Sequence, residues 1–243
     1  MKEFLTDLVA HTHNLGFLPL IKITASDQET LIESMSLDKS VILLAKSHKP
    51  IEDLNGTFGL LNLNKLDLHL KCPEYKENSK IKVMSETKNG EKILTGLHFE
   101  NENKDFQNNY RFMIADIINE KLKTVTFKGV KWDIQFTPKP GSVQRLRFQA
   151  AAHTEETVFN VSTEKNDLIF SFGNESTHAG KFVFHPNVTG KLKYTWAWPI
   201  AHVQSILNLP GDVTMMFSDA GALQISVNSM FAKYDYILPA MTK

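Results

Sequence analysis

The sequence predicts an α+β fold in two similar halves, and three observations predict it. A short helix followed by several antiparallel-type strands is stated about four times along the chain, twice in each half, without a close residue-level repeat. The 243 residues are 42% hydrophobic, enough for the core of one large domain or two small ones. A charge-dense stretch with no sustained apolar period, residues 119–131, divides them, so domains are expected at 1–118 and 132–243 with a connector between.

The elements follow in order. Over residues 2–15, Phe4, Leu5, Leu8, Thr12 and Leu15 share one helical face, with Lys2, Thr6, Ala10 and His13 opposite, until Gly16 ends the pattern. Short β-type runs at 20–24, 30–33 and 41–45, separated by Ser, Asp and Lys clusters, predict three strands. Residues 53–63 have helical spacing and predict a second helix capped by Asp53, despite Gly56 and Gly59, each costing about 1 kcal/mol. Runs at 66–71, 80–87, 92–99 and 109–115 predict strands, with Asn89-Gly90 as a hairpin turn and 100–108 as a loop. In the second half, a strand at 132–137 and the breaker Pro138-Lys139-Pro140-Gly141-Ser142 lead into a helix reaching about His153. Strands at 157–163, 167–172, 181–184 and 191–196 follow, then a fourth short helix from Pro199 to Leu207, closed by Pro210-Gly211. Runs at 212–218, 223–228 and 233–238 complete the chain, with Asp219-Ala220-Gly221 as a turn.

Chemistry is defined mainly by exclusion. No phosphate-binding loop, dinucleotide fingerprint, Gly-x-Ser-x-Gly elbow or His-Glu-x-x-His is present, which argues against the common enzyme classes, and no cofactor is expected. His11 and His13 sit two apart, which on a helix points them in different directions, and no further ligands complete a metal set. The single cysteine, Cys72, excludes an intramolecular disulfide framework and fits a reducing cytosol. The acidic N-terminus and the lack of a run of roughly 20 apolar residues argue against export and a membrane span, and the four Asn-x-Ser/Thr triplets read as chance matches. Twenty-seven cations balance 27 anions, which excludes an overall basic protein but leaves room for a local basic face. The third helix is the best candidate: Lys139, Arg145 and Arg147 lie beside Gln144 and Gln149, and Phe148 points away from the inward stripe of Val143, Leu146 and Ala150.

Three segments carry a resemblance. Ile51-Glu52-Asp53-Leu54-Asn55-Gly56-Thr57-Phe58-Gly59-Leu60-Leu61 resembles a second-helix start, Val143-Gln144-x-Leu146 with the following Thr157-Val158-Phe159 resembles a third helix and its next strand, and 212–241 resembles the last strands and tail. Together they resemble the DNA polymerase sliding clamps of T4-type tailed bacteriophages, distant relatives of the cellular clamp proteins. The chain departs from the pattern in a longer 66–109 stretch, and in Phe148 and Ala151 where basic residues would be expected. The resemblance implies two clamp-type domains, each with antiparallel sheets outside and two short helices on the inner face, in a ring-forming head-to-tail homotrimer threaded by duplex DNA, not an enzyme and with no catalytic residue. It further implies a tether for the replicative DNA polymerase in the cytoplasm of the infected bacterial host, opened by an ATP-driven clamp loader and also supporting phage late transcription.

A sliding ring must attract phosphates without reading bases, so scattered cations on helices suit it. The expected DNA-facing residues are Lys2, His13, Lys65, Lys139, Arg145 and Arg147, with Ser205 and Asn208 as polar spacers. The resemblance also implies a partner-peptide pocket between connector and tail, for which Val125, Phe127, Ala222, Leu238 and Pro239 are the candidates by position. The alternatives are a non-encircling monomeric or dimeric viral processivity factor, an enzyme with a scattered site, and a structural virion protein.

Overall fold

A computed structural model describes residues 1–241 except 77, 78, 89, 124–126, 175 and 177. The chain forms two compact units, Met1–Thr126 with Ser229–Tyr234, and Phe127–Asn228 with Asp235–Lys243.

The first unit runs α1 (Lys2–Ala10), β1 (Ile21–Ala25), β2 (Thr30–Met35), β3 (Ile42–Ser47), β4 (Gly56–Leu60), α2 (Leu63–Lys71), β5 (Lys80–Lys88), β6 (Glu91–Glu100), β7 (Gln107–Arg111), β8 (Met113–Ile114) and α3 (Ala115–Lys121). The second runs β9 (Ile134–Phe136), α4 (Pro140–Ala152), β10 (Val158–Glu164), β11 (Asp167–Phe172), β12 (Gly180–His185), β13 (Trp196–Pro199), α5 (Ile200–Leu207), β14 (Asp212–Ser218), β15 (Ala222–Asn228) and β16 (Ala232–Pro239). The architecture is α+β with antiparallel sheets.

The two units repeat one topology. Each contains a helix, four strands, a helix and three strands, and the four strands pair in the same order: β4-β1-β2-β3 in one, β13-β10-β11-β12 in the other. The repeat extends to single residues. Phe58 of β4 pairs with Ile114, and Ala197 of β13 pairs with Met241, so in each unit the chain following the last strand returns to the edge of the fourth. Alternation of buried and half-buried residues in β1 and β2 puts Ile21, Ile23 and Ile32 into the core, as a one-face-buried strand requires. Phe159, Phe170, Phe172, Phe184 and Phe217 do the same in the second unit, Phe170 stacking on Phe184 at 4.1 Å.

Four sequence expectations need correction. Residues 53–63 are not a helix: Asp53 has φ +69 and caps nothing, and β4 follows it. Leu54, Phe58 and Leu61 mimic helical spacing because β4 is covered on both faces, Phe58 by Phe112 at 4.3 Å and Gly59 by Ile118, whose atoms would lie 2.8–3.0 Å from any Cβ there. Residues 66–71 are not a strand but most of α2. Leu66, Leu68 and Leu70 alternate as a strand would, yet the buried set is Leu63, Leu66 and Leu70, while Asp67 and Lys71 form an i, i+4 ion pair at 2.6 Å. The 109–115 run divides into β7, β8 and the start of α3, a helix that reaches into the 119–131 stretch. The 191–196 strand begins only at Trp196, because the Asp219 carboxylate accepts the backbone N–H groups of Lys193 and Tyr194 at 2.7 and 3.2 Å and holds them off a ladder. Lys88 pairs with Glu91 across the expected hairpin, whose Asn89 lies outside the described residues.

Candidate nucleic-acid interface

In each unit two helices pack side by side, α1 with α2 and α4 with α5. The two pairs differ in net charge. Helices α1 and α2 carry Lys2, Lys65 and Lys71 against Glu3, Asp7 and Asp67, which cancel. From Lys139 to His153 there are three cations and no carboxylate, and α5 carries neither Lys, Arg, Asp nor Glu. The cationic excess of the helix pairs is therefore a property of α4.

Helix α4 starts at Pro140, whose missing N–H costs nothing at that position, with Lys139 as its N-cap residue. Leu146 is fully buried and Ser142 nearly so, which turns Gln144, Arg145, Arg147 and Phe148 to solvent. The Arg147 guanidinium donates to Asn208 Oδ1 at the end of α5, so one expected phosphate contact is held in place by another member of the set. Ser205 is half-buried on α5. Lys139 acts at a distance as well: burial first, then its positive charge, lowers the pKa of His185.

The expected residues of the first unit are less uniform. Lys65 is exposed on α2, and together with the larger effect of burial its charge lowers the pKa of His69. Lys2 is half-buried and donates to the Tyr75 carbonyl, so its ammonium is already engaged by the protein. His13 is not on α1 but in a single 3-10 turn, His13–Leu15, after the helix has ended. Leu68, 66% exposed on α2, was not anticipated; only a helical reading of 63–71 would have turned it outward.

The pocket candidates differ in exposure, and the Ala240 N–H donates to the Gly221 carbonyl at 2.8 Å, which brings the chain at Ala222 beside that at Pro239. Val125 lies outside the described residues. Phe127 is half-buried and stacks on Trp132 at 6.3 Å. Ala222 and Leu238 are interior residues of the second unit, the Leu238 carbonyl accepting the Trp198 indole N–H at 3.1 Å, and Pro239 is exposed. Among the described residues no group of three or more His, Cys, Asp or Glu is arranged to hold a metal ion, and no helix is long and apolar enough to cross a membrane.

No protein-family model matches the sequence, and no curated protein matches it. Solved structures do. PCNA from Thermococcus kodakaraensis superposes with a TM-score of 0.68 at 13% identity, over 99% of this chain and 97% of its own. A. fulgidus PCNA, solved with the C-terminal region of FEN-1 bound, superposes with a TM-score of 0.68 at 10% identity, over 100% of this chain and 95% of its own. The chain thus has the fold of those PCNA chains from end to end.

Proposed function

We propose that this protein is a DNA polymerase sliding clamp of the T4-type phage class, a head-to-tail homotrimer that closes around duplex DNA and tethers the replicative polymerase without chemistry of its own. The observation that carries the reading is the likeness to PCNA sliding clamps over almost the full length of both chains. The duplicated topology supports it, because two units of one topology give each subunit two helix pairs to turn towards a duplex. The charge pattern fits the task. Two arginines on α4 and Lys139 at its N-cap, without a fixed base-reading geometry, supply sequence-independent phosphate attraction that does not stop translocation. Residues 119–131 would join the two domains, an ATP-driven loader would open the ring in the host cytoplasm, and late-transcription proteins would use it as a mobile platform. The A. fulgidus PCNA structure holds the C-terminal region of a partner protein, and we extend that mode of partner capture to this chain.

Solution mass by light scattering across a dilution series, paired with retention on circular against linear duplex DNA, tests the reading. A species near three times 27.6 kDa that stays on circles and runs off linear DNA is expected. A monomer at every concentration that still raises polymerase processivity would replace the ring by the open processivity factor.

A further inference from the structure

One strand of the first unit serves two sheets. The chain from Gln107 to Ile114 pairs first with β6, Arg111 lying opposite Gly96. Phe112 then donates its N–H to the Thr95 carbonyl at 3.0 Å, and the chain crosses to β4, where Met113 and Ile114 face Gly59 and Phe58. It goes no further, since α3 begins at Ala115. Both neighbours run on without it. On β4, Gly56 and Thr57 pair with Ala25 and Thr24 on one side and, among the described residues, with no strand on the other. On β6, Lys92, Ile93 and Leu94 pair with Thr87, Glu86 and Ser85, and the opposite side is bare in the same way. A bulge marks the parting: Met84 pairs with Gly96 and Ser85 with Leu94, so Thr95 is an extra residue that kinks β6 where β7 leaves it.

Between the two bare stretches lies an open cleft of about 560 Å³. Its apolar lining is Ile93, Leu94 and Ile114, the last 48% exposed. Glu86, Lys88, Lys92 and Asp116 line it as well, all exposed, and none of the four forms an ion pair among the described residues although both signs of charge border one cleft. Strand edges recruit further strands unless charges or kinks obstruct them, and Lys92 is the single charge on either bare stretch. The space is clear on the β4 side too, since a side chain at Gly56 would meet nothing within 4 Å.

We infer that this cleft takes an extended segment of another protein, which adds antiparallel to β6 at Lys92–Leu94, in the place that β7 vacates. Backbone pairing holds the segment, and its alternate side chains select it. Apolar residues meet Ile93 and Ile114, and charges of both signs between them meet the unpaired lysines and carboxylates. All of these residues belong to the first unit, so the cleft owes nothing to ring closure.

A capped pentapeptide, acetyl-Val-Glu-Val-Lys-Val-amide, is the probe, titrated into the full-length protein carrying labelled Ile and Leu methyl groups. Saturable shifts at Ile93, Leu94 and Ile114 are expected, with Ile169 and Leu223 of the second unit unmoved. The same peptide N-methylated throughout cannot donate from its backbone, and its affinity should be lower by about 10-fold or more. Ile114→Asp sets a carboxylate among the apolar groups while giving α3 a side-chain cap that it lacks. That variant should keep the wild-type melting temperature and bind the peptide about 10-fold or more weakly. Methyl signals that stay in place up to millimolar peptide, equal binding of the N-methylated peptide, or an unaltered affinity in Ile114→Asp overturns the site.

Discussion

Tyr110 shows how one side chain can report on a whole junction. Its hydroxyl donates to the Leu61 carbonyl at 2.6 Å from a site only 4% exposed, and burial holds its phenol well above the ordinary tyrosine range. Tyr110→Phe removes that donor and should cost about 1 kcal/mol, read as a lower urea midpoint at unchanged m-value. His69 and His185 set a pH response. Both have pKa values lowered chiefly by burial, so below about 6.5 the unfolded chain takes up protons that the folded chain does not. Stability should therefore fall as pH drops from 7 to 5, and the fall should be shallower in His185→Gln; an unchanged slope in melting temperature against pH would exclude His185 as a contributor. At this scale the sequence was informative for local features and silent about distant ones. The outward turn of Arg145 and Arg147 follows from the helical period around Leu146, but nothing near Lys2 announces Tyr75, 73 residues away, as its acceptor.

Among the elements, α2 is the instructive failure. A leucine at every second position in Leu66-Asp67-Leu68-His69-Leu70 satisfies a strand, and the deciding residue, Leu63, lies outside that run. The second unit held the missing signal: α5 follows its fourth strand directly, and the same order in the first unit would have placed a helix after β4 rather than on it. The helix makes a sharp distinction between neighbours. Leu66→Ala, at a fully buried position, should cost about 2–5 kcal/mol, whereas Leu68→Ala should stay within about 0.5 kcal/mol in the isolated chain. Chemical denaturation of the two variants checks it; equal losses would contradict the helical packing. Helix α4, by contrast, was readable almost to the residue, since a Pro start and a fully buried Leu146 leave its charged positions little choice.

For the molecule as a whole, the fold class and the duplicated organisation were legible because they depend on the order of elements, which survives misplacing one of them. The grouping of residues across long sequence separations was not. Duplex binding should reflect the uneven charge between the helix pairs. Arg145→Glu with Arg147→Glu should weaken binding to any duplex sequence and lower the slope of log affinity against log salt by about one for each phosphate no longer neutralised. Lys65→Glu, on the pair whose charges cancel, should do less. Fluorescence anisotropy over a salt series measures both, and equal effects would move the phosphate-binding cations off α4.

The short segment Ser229–Tyr234, which belongs with the first unit although the second supplies the chain on both sides of it, has a consequence for biosynthesis. The Asp7 carboxylate accepts the hydroxyls of Ser229 and Tyr234 at 2.9 and 2.8 Å, and the His11 ring lies flat on Tyr234 at 4.4 Å. These partners of the first helix leave the ribosome more than 200 residues after it. The N-terminal unit must therefore wait, with a half-buried acid and a buried imidazole still open to water, until translation is nearly over.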